Sequence, residues 1–529
     1  MLLPHANPAT AIAALGLAAH ACAAGLIAAT LRRLGAGTWA SVLGAAAFAL
    51  FPPVWAVSVE PELFALAHLA IAALVYVIVR EETRTPDQPA RDSAILLGLV
   101  GSLALATHPI VMPAILMLLL AKFVAFRRGR SLSWRLRFAA AFVIPALLLY
   151  MSLPLLRTSS IWPDWGSLRT PADVMRHVLR EEYGTFSLSA AQGGTTVSGF
   201  FVMARDAWRA WSVAIALLAI GWFALLRRPG FFFGRQALSS LLVFGLTLVL
   251  LSRLPEQSYS AAVLARLEGP VVIAGAVFIG YGFDAMLKAL RSRAARTLAT
   301  VAAGLAIVAA LVTGWPEADV SRDRTLSLYA AGIALELPEQ AVYATEGDVE
   351  TFMGVGPGPR FPISGPEITP DWYWRDVVPK LEPRVMQPGV VVNQWSDFLS
   401  ACSVRGLAIA STSPTLISLP NGTPELRGLI FVSRAGSDSE LTAATVAAAA
   451  RLAPLAEALP RLPEYGHAFS RFYARRFARA YAGAAEALRR AGDPLAFSAD
   501  SIADAINRDA PVAERVNLLR SFAARCTRR

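Results

Sequence analysis

The chain has 529 residues, 55% of them hydrophobic and 16% charged, with a net charge of +11 and a mean hydropathy of +0.49. That balance lies outside the range of soluble globular proteins and excludes a soluble enzyme as the account of the whole chain. The positive charge does not mark a nucleic-acid partner. Arg32 and Arg33, Lys122 to Arg130, Arg135 and Arg137, Arg227, Arg228 and Arg235, and Lys288 to Arg296 sit in short connections between apolar runs, the bias that orients membrane helices.

Apolar runs of about 18 or more residues, each able to cross ~30 Å of hydrocarbon, recur along the first part of the chain. Ten spans are expected, at 9–31, 38–56, 62–80, 92–107, 109–126, 138–156, 206–226, 234–252, 267–287 and 297–315. The basic connections after spans 1, 3, 5, 7 and 9 then fall on the cytoplasmic side, and the linkers near Glu60, His108, Asp164 and Glu256 fall outside. Ten spans put both termini outside, yet Met1 lies only a few residues before span 1 and no signal peptide precedes it. Span 1 is alanine-rich and interrupted by His20. The expectation is either insertion with the amino end out or an upstream helix and loop.

After Trp315 the composition becomes that of an ordinary soluble chain. Short buried strands are expected at Gln340–Thr345, Val390–Asn393 and Leu429–Val432, with helices between them. From about residue 440 the chain is rich in Ala, Arg and Leu with helical periodicity, and RFYARRFARAYAGAAEALRRAGD resembles one helical hairpin repeat. The expected fold class is therefore an all-α polytopic membrane domain of about ten transmembrane helices, followed by a small soluble α/β region and a helical carboxyl-terminal tail. The expected domains are 1–315, including an outer loop at 157–205, then an exported 316–435, then 436–529. Cys22 lies in a span; Cys402 and Cys526 are either a disulfide in an oxidising compartment or two thiols.

Four polar motifs interrupt this pattern. FPPVWAVSVEPELFAL, residues 51–66, carries Glu60 and Glu62 at the outer junction of spans 2 and 3. Ionisable groups at membrane depth are costly and face a cavity or a partner; Glu62, flanked by Pro61, Leu63 and Phe64, is favoured as functional, while Glu60 fits a solvated surface residue equally well. ALATHPIVMP, residues 104–113, places His108 at a tight outer turn, where a hydrogen-bonded structural role competes with ligand binding. His20 and His68, within spans, read as packing residues.

The third motif is LPLLRTSSIWPDWGSLRTPADVMRHVLREEYG, residues 153–184, far more polar than a connection requires. Arg157 suits a phosphate in the headgroup zone because guanidinium pairs two oxygens at once; its alternative is snorkelling to bulk lipid phosphate. Trp162 and Trp165 fit a stacking wall for a sugar ring or an interfacial aromatic belt. Asp164 between them suits a sugar-hydroxyl acceptor, a metal ligand or a proton acceptor. The fourth motif, ARLEGP, offers Arg266 as a second phosphate contact with Glu268 as its pair. In the soluble region, Asp348 of TEGDVET follows an expected strand, where ligand-binding residues sit, or is a turn aspartate. Walker, dinucleotide-glycine, zinc-spaced Cys/His and GxSxG motifs are all missing from the sequence.

Taken in order, these motifs resemble the bacterial protein O-mannosyltransferase-like group, a multi-spanning family in the GT-C glycosyltransferase superfamily. LLPHANPATAIAALG resembles the start of the family's second membrane helix. FPPVWAVSVEPELFAL places Glu62 on the family's glutamate, and ATHP places His108 on its histidine. LPLLRTSSIWPDWGSLRTPADVMRHVLREEYG resembles its arginine and tryptophan–glycine–aspartate loop, and ELPEQAVYATEGDVETF its strand leading into Gly-Asp. The likeness covers about residues 1–360. It implies a GT-C-like membrane enzyme that moves a mannose-like sugar from a polyprenyl-phosphate carrier to a protein or glycan acceptor at the outer face of a bacterial inner membrane, with membrane lipid and no nucleic acid as partners.

Under that resemblance Arg157, His108, Trp162, Trp165, Arg266 and Asp348 bind substrate, and Glu62 and Asp164 are the candidate catalytic carboxylates; no cofactor is implied with certainty beyond a divalent metal as an option. The chain departs from the family in three places. It has no counterpart of the family's first outer loop with its acidic base, no aspartate directly after Gly166, and no aromatic pair near Arg266. Two other readings stand beside the enzyme: an inactive or truncated membrane scaffold whose exported domain binds a partner, and a carrier or flippase for a lipid-linked glycan.

Overall fold

The computed structural model describes residues 8–59, 64–83, 93–107, 131–156, 168–178, 198–212, 214–228, 268–318, 323–338, 341–345, 363–364, 394–417, 424–433, 438–460 and 468–528, with isolated positions between them. The chain divides into two compact units. One holds Met1–Leu155 and Phe186–Asp319, the other Leu156–Thr185 and Val320–Arg529.

The first unit is helical: α1 Pro8–Arg33, α2 Thr38–Ala49, α3 Pro52–Val59, α4 Phe64–Glu82, α5 Ser93–Thr107, α6 Leu132–Leu156, α8 Ser198–Trp211, α9 Ile215–Leu226, α10 Gly269–Ala289 and α11 Arg293–Ala318. Among the described residues five helices are long and apolar enough to cross a membrane, namely those at Ala11–Arg33, Phe64–Glu82, Leu132–Leu155, Gly269–Ala289 and Arg293–Thr313. This is a multi-pass membrane protein. The expected spans at 109–126 and 234–252 lie largely outside the described residues.

Two other expected spans are broken. The span at 38–56 becomes α2 and α3, because Pro52 and Pro53 lack the N–H groups a continuing helix needs and serve instead to start a new one. The span at 206–226 breaks between Trp211 and Ile215. The helix before that break carries Arg205, Asp206 and Arg209 and is amphipathic rather than apolar. Trp211 at the break donates from Nε1 to the Ala47 carbonyl at 2.9 Å, and its ring lies 4.8 Å from that of Phe51. One aromatic residue thus fills the neighbourhood of both breaks.

The centre of this unit is α10, GPVVIAGAVFIGYGFDAMLKA, whose residues from Gly269 to Gly280 are all buried. Helices in a membrane gain no hydrophobic drive from meeting each other, so they approach through small residues. Gly282 of α10 faces Gly221 of α9; a Cβ on either would run into backbone of the other helix. Gly280 likewise faces Gly44 of α2. The large side chains point the other way. Leu298, Val301, Leu305, Val308 and Val312 of α11, and Leu132, Leu136, Val143 and Leu148 of α6, are exposed.

One end of the unit gathers basic connections. The chain turns between α1 and α2 at Gly35, which has φ of 75°. Arg228, just past α9, donates to the Leu34 carbonyl, and Lys288 near the end of α10 reaches the Gly35 carbonyl at 3.4 Å. The Gly37 N–H donates to Asp284 at 2.8 Å, and Asp284 pairs with Lys288 at 2.6 Å. The basic connections that follow expected spans 1, 7 and 9 therefore meet at one level.

The second unit contains α7 Pro171–Val178, α12 Thr325–Glu336, α13 Trp395–Val404, α14 Asp438–Arg451, α15 Ala453–Glu457, α16 Ala468–Arg490, α17 Leu495–Asn507 and α18 Val512–Cys526. Its sheet holds β1 Val342–Thr345, β2 Ile363–Ser364, β3 Ile409–Ser411, β4 Pro424–Arg427 and β5 Ile430–Ser433, in the order β2-β1-β3-β5-β4. The strand expected at 340–345 corresponds to β1 and that at 429–432 to β5; 390–393 lies outside the described residues. β1 pairs in parallel with both β2 and β3, whereas β5 runs antiparallel to β3 and β4.

Val342 and Ile409 pack with Trp374, Phe398 and Cys402. Tyr329 of α12 stacks on Tyr473 of α16 at 4.4 Å, and Tyr481 meets Phe522 of α18 at 5.9 Å. The stretch RFYARRFARAYAGAAEALRRAGD, expected as a helical hairpin repeat, is one continuous helix, α16, ended by Gly492 at φ of 68°, and α17 follows it. No disulfide joins Cys402, buried in α13, to Cys526, half-buried in α18.

Candidate functional site

Glu62, Asp164, His108, Arg157, Trp162, Trp165, Arg266 and Asp348 all lie outside the described residues. What the structure does describe is the chain on either side of several of them, and there it closes a polar cluster that the sequence reading took for packing.

Its first member is His20 of α1, 4% exposed. Its Nδ1 lies 2.5 Å from the Ser58 hydroxyl and its Nε2 lies 2.9 Å from Nδ1 of His68. The two imidazoles stack with centroids 5.1 Å apart, and Phe48 meets His20 edge-on at 5.7 Å. Ser58, in the last turn of α3, donates its own proton to the Val54 carbonyl at 2.7 Å. A hydroxyl has one proton to give. Ser58 must therefore accept from His20, which makes Nδ1 the protonated nitrogen of a neutral His20. Nε2 of His20 is then an acceptor, and Nδ1 of His68 donates to it. The hydrogen-bond order runs from His68 through His20 and Ser58 to Val54, and it fixes the tautomer of His20.

Nε2 of His68 lies against Gly269, the first residue of α10: a Cβ there would overlap the ring. Glu268, next in the chain, is 1% exposed. Gly16, one turn before His20, is equally tight: a Cβ would come within 2.8 Å of the Ser58 carbonyl and 3.6 Å of Ala65. One face of α1, built from Gly16 and His20, therefore grips the end of α3 and the start of α4, the two sides of the segment that carries Glu60 and Glu62. The start of α10, three residues past Arg266, closes onto the same histidine. At 1.5 Å per residue, the 15 residues from Gly269 to Asp284 put this cluster roughly 20 Å from the basic end of the unit, toward the opposite membrane face.

Sequence reasoning missed His20, Ser58 and His68 because each looks isolated in an apolar run. The available signal was energetic. An imidazole within a span is expensive unless hydrogen-bonded, and histidines in spans 1 and 3 with a serine in the connection between spans 2 and 3 are each other's cheapest partners.

In the long loop, α7 is described while 157–167 is not. Its charges close a capping box. Thr170 N–H and hydroxyl donate to Asp173 at 2.9 and 2.8 Å, the Asp173 N–H returns to the Thr170 hydroxyl at 3.2 Å, and Arg176 pairs with Asp173 at 2.8 Å. Slight burial would raise the Asp173 carboxyl, but the hydrogen bonds from Thr170 and Arg169 and the Arg176 charge outweigh it and hold its pKa below the ordinary value. Among the described residues no group of three or more His, Cys, Asp or Glu side chains is placed to hold a metal ion.

These features define the class: a multi-pass membrane protein with a buried polar cluster toward one membrane face and a second unit built on a mixed sheet. Residues 7–132 match the model of the Protein O-mannosyl-transferase TMEM260 N-terminal domain, a stretch that contains His20, Ser58, Glu62, His68 and His108. The likeness to the protein O-mannosyltransferase-like family is thereby shown for the amino-terminal membrane region. Protein O-mannosyl-transferase TMEM260 of Mus musculus is 30% identical over 185 residues, 34% of this chain and 26% of the mouse chain. Its namesake in Dictyostelium discoideum is 25% identical over 173 residues, 30% of this chain and 20% of its own. The chain thus spans about a quarter of the mouse relative and a fifth of the Dictyostelium one. Crystal structures of ArnT from Cupriavidus metallidurans, in the apo state and bound to undecaprenyl phosphate, align with 80% of this chain and 83% of their own at TM-scores of 0.48 and 0.46 and identities of 14% and 13%.

Proposed function

We propose that this protein is a membrane glycosyltransferase of GT-C type that moves a mannose-like sugar from a polyprenyl-phosphate carrier to a protein or glycan acceptor at the outer face of a bacterial inner membrane. The observation that carries the reading is the family match over residues 7–132, a stretch whose buried histidine–serine cluster brackets the Glu60–Glu62 segment. In this reading the full membrane domain has about ten spans, with the region from 316 exported as an α/β domain and helical tail.

The roles follow from chemistry. Arg157 and Arg266 hold the lipid phosphate, which leaves as the sugar is transferred, so their charge stabilises the negative charge that builds on the leaving group. Glu62 and Asp164 are the carboxylates for binding sugar hydroxyls and for taking the proton of the acceptor hydroxyl. Trp162 and Trp165 stack on the sugar ring, and His108 and Asp348 contact substrate. The His68–His20–Ser58 chain holds α3 and α4, the helices on either side of the segment that carries Glu62, in register.

The test is transfer of radiolabelled mannose from polyprenyl-phosphate mannose to hydroxyl-bearing acceptors by purified protein in nanodiscs. Arg157→Ala and Asp164→Ala are expected to abolish transfer while insertion and thermal stability stay unchanged. Full transfer by both variants overturns the site; no transfer by the unaltered protein from any polyprenyl-phosphate sugar overturns the function.

A further inference from the structure

The helix before the Trp211 break, α8, has two unlike faces. Met203 and Trp211 are each 6% exposed, and Ala207 and Ala210 between them pack on the core of the membrane unit. Phe201, Arg205 and Trp208 recur at i, i+4 and i+7 on the opposite side. There Phe201 is 63% and Trp208 64% exposed, with Arg205 exposed between them. An aromatic–basic–aromatic stripe faces away from the protein.

The anchors of α8 set its depth. Trp211 donates to the Ala47 carbonyl, which stands on α2 roughly 15 Å along from Gly37 and the basic end of the unit. α9, with 12 residues, rises about 18 Å from that same end, well short of the ~30 Å of hydrocarbon. α8 packs beside α3, whose last turn carries Ser58 of the histidine cluster. It therefore lies in the half of the membrane thickness opposite the basic end.

Each part of the stripe excludes one medium. Two large exposed rings on one face are costly in water. An exposed guanidinium is costly in hydrocarbon, where arginine reaches for the headgroups. The boundary between headgroups and acyl chains suits both: aromatic rings settle there, and a guanidinium pairs two phosphate oxygens at once.

We propose that the Phe201–Arg205–Trp208 face of α8 docks on the phospholipid leaflet opposite the basic end, with Arg205 on lipid phosphate and the two rings in the acyl boundary on either side of it. The docking rests on burial and depth and is independent of the transfer reaction. Trp211 ties the same helix to Ala47 and Phe51, so the lipid contact braces the place where α2 gives way to α3.

The test uses the full chain in nanodiscs of phosphatidylcholine and phosphatidylglycerol, with Cys22, Cys402 and Cys526 changed to Ala and a spin label placed in turn at positions 201, 205 and 208. Collision rates are read with oxygen, which concentrates in hydrocarbon, and with a nickel chelate, which stays in water. Labels at Leu305, exposed on α11, and at Val404, exposed on α13, supply the hydrocarbon and aqueous references. Positions 201 and 208 are expected to fall between the references, with position 205 nearest the phosphate level. Arg205→Glu should raise the nickel collision rate at position 208 about twofold or more, since like charge repels the phosphates, while Arg205→Lys should leave it nearly unchanged. Each variant is compared as a monodisperse, folded preparation. Values matching Val404 at 201 and 208 would place the face in water and overturn the proposal. Values matching Leu305 at all three positions overturn it too, by making α8 the outer part of a bent span. Low rates with both reagents would show another part of the protein covering the face, again against the proposal. An Arg205→Glu variant that leaves position 208 unmoved overturns the phosphate contact.

Discussion

The two units bury polar groups by opposite strategies. In the membrane unit the His20–Ser58–His68 cluster is enclosed, and its hydrogen bonds join side chains from three separate helices and end on the Val54 carbonyl. In the second unit the typical buried charge reaches outward: Glu336, 6% exposed, receives Arg451 through bonds of 2.9 and 2.7 Å, and Arg451 carries the charge to the surface with its side chain half exposed. Burial of the arginine opposes its charge, but the hydrogen bond and the attraction of Glu336 prevail and raise its pKa above the ordinary value. A water-facing domain has solvent to share the cost of a buried carboxylate. A helix in hydrocarbon does not, so its polar groups must find each other.

Packing separates the units in the same sense. The membrane unit is sewn together by glycines that let backbones touch, the second by large rings that fill space. The largest expected effect follows from that contrast. Gly282→Leu would drive a side chain into the Leu217 carbonyl of α9, and Gly221→Leu into that of Phe278. Neither backbone can yield without separating α9 from α10, so both variants should fail to yield folded protein, read as loss of a monodisperse peak after detergent extraction. The matching test in the second unit is milder. Phe477 is 0% exposed, and Phe477→Ala should cost about 3–5 kcal/mol of stability through the cavity it leaves, while the membrane unit stays folded. Equal loss of both units in the Phe477 variant would mean the two do not unfold separately.

Much of the architecture was legible in the sequence because hydrophobic length and charge placement are strong signals. The helices at Pro8–Arg33, Phe64–Glu82 and Gly269–Ala289 follow from long, predominantly apolar runs, and α16 from its helical periodicity. The breaks before Pro52 and after Trp211 were less visible, since apolar composition continues across both and only the prolines and the Arg205–Arg209 charges mark them. The candidate carboxylates and arginines were chosen for their chemistry in loops, and those loops lie outside the described residues. The buried histidines were undervalued because a pairwise contact between residues 48 positions apart leaves no trace in local pattern.

Next in size is the cluster itself. His20→Ala removes the central link, leaves the His68 Nδ1–H without its acceptor at a cost of about 1–3 kcal/mol and opens a cavity, while the Ser58 hydroxyl still donates to the Val54 carbonyl. Ser58→Ala removes one acceptor and should cost less. The order of donors makes a further demand: because His20 and Ser58 act in one chain, the double variant should be markedly less destabilised than the sum of the singles. Thermal unfolding of the three variants in detergent measures this. Additive losses would show that the two residues do not share a hydrogen-bond chain.

The smallest expected effect belongs to the α7 capping box, and its sign can be worked out. Asp173 has its carboxyl held below the ordinary range by the hydrogen bonds from Thr170 and Arg169 and by Arg176, against the opposing effect of its burial. A depressed carboxylate contributes stability only while ionised, so its contribution is complete above the ordinary carboxylate pKa and fades as the pH falls below it. Thr170→Ala or Asp173→Ala should therefore cost about 1 kcal/mol of local helix stability near neutral pH, the usual worth of a cap. In strong acid the Asp173 variant and the unaltered protein should converge, whereas the Thr170 variant should stay the weaker of the two, because its lost hydroxyl also accepted from the Asp173 N–H and that bond does not titrate. Hydrogen exchange of the Val174 and Met175 amides across a pH series reads this directly, since both lie in the first turns of the helix. A difference between Asp173→Ala and the unaltered protein that persists undiminished into strong acid would mean that the residue stabilises α7 by something other than its charge.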